Sequence, residues 1–193
     1  MLKLIRIFAE ETEPVLLSMP LDNTTEITEL ENLYEQWNDP EYLKAFFENN
    51  KSDLQNGYYN NLTVDEAVLQ TREEANELFE RLSEIETLSI SEKREALNVL
   101  FMPLSDYDLQ IELKRNKAKA KWLRIYAVRV GNESYVITGG TIKLTLRMDE
   151  REHTKEQIRK LDQCRDYLKE RGIFDEEGLA EFENVHTGNY EIE

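Results

Sequence analysis

Residues 135–148 read YVITGGTIKLTLRM, and the fold of the chain turns on how this stretch is taken. Gly139 and Gly140 interrupt an apolar run. Beyond them Thr141, Lys143, Thr145 and Arg147 alternate with Ile142, Leu144, Leu146 and Met148. Strand side chains point to opposite faces in turn, so this alternation separates a polar, cationic face from an apolar one. The preceding WLRIYAVRV, residues 122–130, divides in the same way. Leu123, Ile125 and Ala127 share one face, and Trp122, Arg124, Tyr126 and Val128 share the other. Gly131-Asn132 between the two stretches is a compact hairpin signal. If the apolar sets pack under helices, Arg124, Tyr126, Lys143, Thr145 and Arg147 are expected to share an open face. Glycines inside a strand mark a bulge, a bend or a close approach of another backbone. A bend that curls the sheet around whatever meets its open face is the expectation here. An ordinary half-buried strand with a solubilising outer face fits the same pattern.

Working outward, VLFMPL (99–104) has the composition of a third strand and LKLIRIF (2–8) that of a first. Between them the period changes to that of helices. Ile27, Leu30, Leu33, Tyr34 and Trp37 fall at helical spacing, with Asn23, Thr24 or Thr25 as possible caps. Asp39-Pro40 reads as a cap followed by proline in a first turn. Asn49–Asn61 is a turn-rich linker. Thr63 and Glu66 form a capping box ahead of the clearest helical stripe, and a shorter helix starts at Ser89 or Ser91 and ends near Asn98. Thr154 and Gln157 form a second box, opening a helix that Gly172 stops. The acidic tail, 175–193, is expected to be frayed in part. This order predicts a single α+β domain over 1–193. Its small sheet is antiparallel, or mixed if the N-terminal strand joins an edge, with helices mainly on one face. Within it, residues 20–98 form a mainly helical acidic section and 99–171 a sheet-plus-helix section.

Composition narrows the function classes. The chain has 193 residues, of which 40% are hydrophobic and 33% charged, which describes a globular protein with a core. Its apolar runs fall well short of the ~20 residues that span a bilayer, and its N-terminus lacks the apolar core of a signal peptide. One cysteine, Cys164, cannot close an intramolecular disulfide. A cytoplasmic protein is expected. The two histidines and the cysteine lack metal-ligand spacing, and no phosphate-binding glycine loop, nucleophile elbow or dinucleotide fingerprint is present. Neither a metal nor a cofactor is expected. His153, next to a helix start, reads as a solvent-exposed bystander.

The net charge of −16 argues against nucleic acid until its distribution is considered. Residues 1–113 carry 8 basic and 25 acidic side chains, whereas residues 114–147 carry 9 basic and one acidic, Glu133. A segment of net +8 therefore sits inside an acidic protein. It reads either as a lysine-rich turn that keeps a sheet edge soluble or as a phosphate-binding strip. Taken as a strip, Lys117, Lys119, Lys121 and Thr145 are candidates for RNA contact. Lys143 and Arg147 would hold phosphate, Arg124 would stabilise transition-state charge, and Tyr126 would stack on a base or transfer a proton.

WLRIYAVRV, YVITGGTIKLTLRM and HTKEQIRKLDQCRDYL (153–168) together resemble the C-terminal half of RelE/HigB-type toxins of the RelE/ParE superfamily, from bacterial toxin–antitoxin systems. The resemblance covers roughly residues 99–171. Lys143 and Thr145 match the family's basic stretch, Arg124 and Tyr126 match the strand before it, and Arg147 is a looser match. Leu144 stands where a second lysine is common. The resemblance implies a RelE-like fold and a ribosome-associated, metal-independent mRNA endoribonuclease neutralised by an antitoxin protein. No membrane and no direct DNA contact are expected. The alternative is a non-enzymatic protein-binding module on the same scaffold, whose basic sheet face docks an acidic partner.

Overall fold

A computed structural model describes residues 3–8, 15–22, 24–55, 62–105, 112–145 and 151–187. Among them the strands are β1 (Ile5–Arg6), β2 (Leu16–Ser18), β3 (Met102–Pro103), β4 (Lys114–Lys119), β5 (Leu123–Val130) and β6 (Ser134–Ile142). The helices are α1 (Glu29–Asn38), α2 (Pro40–Asn49), α3 (Lys51–Gln55), α4 (Val64–Glu86), α5 (Ile90–Leu100), α6 (Glu152–Glu170) and α7 (Glu176–Thr187). The strands form one sheet in the order β1-β2-β6-β5-β4-β3.

The fold is α+β, and its sheet is mixed. β2 runs parallel to β6, pairing Leu16–Ser18 with Tyr135–Ile137, while the other pairings are antiparallel. Two residues on from β2, Pro20 bridges to Thr28, and the chain turns into α1. Local chemistry sets the helix starts. Thr28 caps α1 through a reciprocal box with Glu31, Asp39 accepts from the N–H groups of Glu41 and Tyr42 ahead of α2, and Thr63 pairs with Glu66 at α4. Glu92 accepts from both the hydroxyl and the N–H of Ser89 at the start of α5. Gly172, with φ +71°, ends α6.

Helices cover both faces of the sheet, not mainly one. On one side Leu123, Ile125, Ala127, Tyr135, Ile137 and Ile142 pack against Leu33, Trp37, Phe47, Leu78 and Leu97 of α1, α2, α4 and α5. On the other Leu17, Tyr126, Val128 and Val136 pack against Leu161, Cys164 and Leu168 of α6 and Leu179 and Phe182 of α7. The face expected to lie open is therefore largely closed by the C-terminal helices, because Tyr126, Val128 and Val136 make it as apolar as the first.

Several boundaries differ from the sequence expectation. Val99 and Leu100 end α5, leaving Met102–Pro103 as a short edge strand. The basic segment is not a turn: Lys114–Lys119 pairs along its whole length with β5. Residues 51–55 of the expected linker are helical. Thr154 lies inside α6, where its hydroxyl donates to the carbonyl of Arg151, so the helix starts at Glu152. Residues 176–187 of the acidic tail form α7 because Leu179 and Phe182 give it a buried side.

The two glycines produce a bulge, not a smooth bend. Tyr126 pairs with Gly139 and Ala127 with Ile137, leaving Thr138 as the extra residue. Gly139 has φ +140°, a conformation side chains avoid, and a Cβ there would overlap Gln157 Oε1 of α6. A Cβ on Gly140 would lie 2.5 Å from the Arg124 carbonyl oxygen and 2.7 Å from Leu33 Cδ1. The pair thus lets α1 and α6 close on β6 from opposite sides.

Candidate RNA-binding corner

β4, β5 and β6 bring part of the predicted cationic set into one row. Lys119 is the cross-strand partner of Arg124, and Arg124 of Thr141. Cross-strand partners share a face, so these three side chains lie side by side. The next row is Lys117, Tyr126 and Gly139. Beyond β6 the Lys143 N–H still bonds to the Trp122 carbonyl at 2.8 Å. Ile142 and Leu144 are buried on the α1 side, which puts Lys143 on the side of Thr141 and Arg124. The row exists because Asn116 and Ala118, the alternate residues of β4, are fully buried beneath the sheet, with Asn116 Nδ2 donating to the Phe101 carbonyl at 2.7 Å. Their lysine neighbours are thereby turned the other way.

Each residue of the set has a definite setting. Lys119 is exposed; Arg124, Lys143 and Thr145 are half-buried. Arg124 Nη1 donates to the carbonyls of Ala120 at 2.8 Å, Lys121 at 3.3 Å and Leu123 at 2.7 Å, so this arginine also clamps the β4–β5 turn. Lys117 is half-buried and its Nζ donates to the Leu104 carbonyl at 3.2 Å. Lys121 sits away from the row, its Nζ 5.3 Å from the centroid of Trp122. That indole donates to Thr71 Oγ1 of α4 at 3.0 Å, placing Lys121 toward the acidic helical section. Arg147 lies outside the described residues.

Tyr126 does not fit the role predicted for it. The residue is fully buried under α6, and burial raises its hydroxyl pKa, with the charge of Arg124 opposing that shift. A side chain without surface cannot stack on a base, and a phenol held neutral by its surroundings is a poor proton acceptor. His153 is also not the exposed bystander expected. Its Nε2 lies 3.1 Å from the Ile142 carbonyl, its ring meets Phe46 edge-on, and burial lowers its pKa.

Thr141, which the alternation already placed on the cationic face, is buried at the end of the row beside Arg124. One feature escaped the sequence reading: Arg115, at the other end of β4, forms an ion pair with Asp162 of α6 at 3.2 Å. The two-residue spacing Arg115, Lys117, Lys119 was the available signal for it, once that segment is taken as a strand. Among the described residues no group of His, Cys, Asp or Glu side chains is placed to hold a metal ion. No helix is long and apolar enough to cross a membrane.

The chain matches no known protein family, no curated protein and no solved structure.

Proposed function

We propose that this chain is a RelE/HigB-like toxin that cleaves mRNA, with Lys119, Arg124 and the adjoining Lys143 as its RNA-holding surface. The single observation that carries this reading is the register of β4, β5 and β6, which sets Lys119 and Arg124 side by side with Lys143 just beyond on the same face. The lysines supply point charges to successive phosphates, and the arginine supplies a planar fork beside them. Cleavage on such a surface proceeds by attack of a ribose 2′-hydroxyl on the adjacent phosphorus. A P–O2′ bond forms and the P–O5′ bond breaks; the 2′-hydroxyl proton passes to solvent water, water protonates the departing 5′-oxygen, and the charge gathering on the phosphoryl oxygens is stabilised by Arg124 and Lys143. Tyr126, in the next row of the same face, is buried under α6 and does not touch RNA. The ribosome supplies the bound mRNA, an antitoxin protein is the natural inhibitor, and the cytoplasm is the working compartment.

The docking-module reading retains one observation in its favour. Arg115, from the same basic strand, is already paired with the carboxylate of Asp162, so these cations accept acidic side chains. Controlled expression in a bacterial host separates the two. Wild type is compared with Lys119→Ala/Lys143→Ala by growth and transcript-end mapping. Arrest with new mRNA ends in wild type alone supports the toxin. If neither form arrests growth or cuts RNA, the toxin reading is withdrawn in favour of docking.

A further inference from the structure

The outer surface of α1 and α4 carries a recess that the cationic row does not use. It encloses about 310 Å³ and is lined by Ile27, Leu30, Glu31, Tyr34, Glu35 and Phe79. Ile27 is 43% exposed and Tyr34 49%, although both are large apolar-bodied side chains. The recess is held in shape by aromatic packing. Tyr34 meets Phe79 edge-on at 5.0 Å, and Phe79 meets the buried Trp37 at 6.2 Å. Contiguous exposed apolar side chains rimmed by polar ones are the mark of an interaction site. The rim here has one sign: Glu31 and Glu35 stand at the edge, in a section of the chain, residues 1–113, whose net charge is −17.

We propose that this groove docks a cationic amphipathic helix from another protein. Helix-in-groove recognition uses apolar anchors one turn apart, which a recess of this size between two helices accommodates. An acidic rim selects lysine and arginine beside those anchors and penalises acidic helices, so charge determines which helices are admitted. The site is on the opposite side of the sheet from the face that carries Arg124, and occupancy of one need not block the other.

The test uses the full chain and two labelled helical peptides with the same leucine–phenylalanine pair one turn apart. One is flanked by lysines and the other by glutamates; binding is followed by fluorescence anisotropy. The lysine peptide is expected to bind, and the glutamate peptide to bind at least about tenfold more weakly. Tyr34→Ala removes a half-exposed ring and its contact with Phe79, and Glu35→Lys reverses an exposed rim charge that the core does not need. Each is expected to weaken the lysine peptide about tenfold, Glu35→Lys without changing the melting temperature. Failure of the lysine peptide to bind, equal binding of both peptides, or indifference to Tyr34→Ala and Glu35→Lys overturns the proposal. A dimer of this chain that buries Tyr34 and resists displacement by the peptide overturns it too.

Discussion

Lys160 of α6 donates to Glu29 of α1 across 2.7 Å, joining the helical layers that cover opposite faces of the sheet. The Glu29 side chain is 4% exposed and that of Lys160 30%, so the acid is buried and the base partly wet. Burial raises the pKa of Glu29, and the bond and charge of Lys160 oppose the rise.

A folded-state pKa above the unfolded value means that the native state binds the proton more tightly. Glu29 therefore favours folding at acid pH, and that contribution declines as pH rises through its raised pKa. Lys160→Met removes the opposing partner. The variant is expected to lose about 2–3 kcal/mol at neutral pH, less than for a fully buried pair because Lys160 keeps some water. The gap from wild type should narrow as the pH is lowered through the carboxylate range. Urea unfolding at a series of pH values checks this, and a gap independent of pH would show that Glu29 is not the group left exposed to the cost.

Gly140→Ala places a Cβ 2.5 Å from the Arg124 carbonyl oxygen and 2.7 Å from Leu33. The backbone oxygen cannot rotate away, so strand and helix must separate. A loss of about 1–3 kcal/mol is expected, measured as a lower urea midpoint at an unchanged slope.

Tyr126 divides the structural role from the chemical one. Tyr126→Phe is expected to leave growth arrest and mRNA ends unchanged, since the ring is fully buried under α6 and out of reach of RNA. Tyr126→Ala opens a cavity under α6 and should cost about 3–5 kcal/mol. Loss of cleavage in a stably folded Tyr126→Phe protein would return the hydroxyl to the reaction.

Cys164 is buried among Leu161, Leu168 and Val136, and burial pushes its thiol pKa up to about 12. The thiolate is the reactive form, so native protein should resist a thiol-specific reagent at neutral pH and react fully once unfolded. Rapid labelling of the folded chain would mean that α6 lifts from the sheet.

Most of what was legible in the sequence is written in short-range chemistry, although the Thr28–Glu31 box that starts α1 was missed and Thr154, expected as a cap, lies inside α6. The Thr63–Glu66 box, Asp39-Pro40, Ser89, the Gly131 hairpin and Gly172 each act within a few residues of their own backbone. β2 was missed because Leu16–Ser18 is only three residues long and its parallel partner, Tyr135–Ile137, is remote in the chain. β4 was missed because the residues it buries are Asn116 and Ala118, which give no hydrophobic alternation among six residues dominated by lysine and arginine. The face assignment of Arg124, Tyr126, Lys143 and Thr145 was readable from period two alone, whereas the covering of that face by α6 and α7 was not. The acidic composition of α7 hid Leu179 and Phe182, the two residues that seat it on the sheet.

The salt dependence of binding to single-stranded RNA tests the central claim most directly. Each phosphate contact on a single strand contributes about −0.7 to the slope of log affinity against log salt. Wild type is expected to bind at low salt with a clear negative slope, and Lys119→Ala/Lys143→Ala to bind more weakly with a slope shallower by about 1.4. Absence of binding at low salt, or a slope that the double variant leaves unchanged, would contradict the assignment of Lys119, Arg124 and Lys143 to RNA.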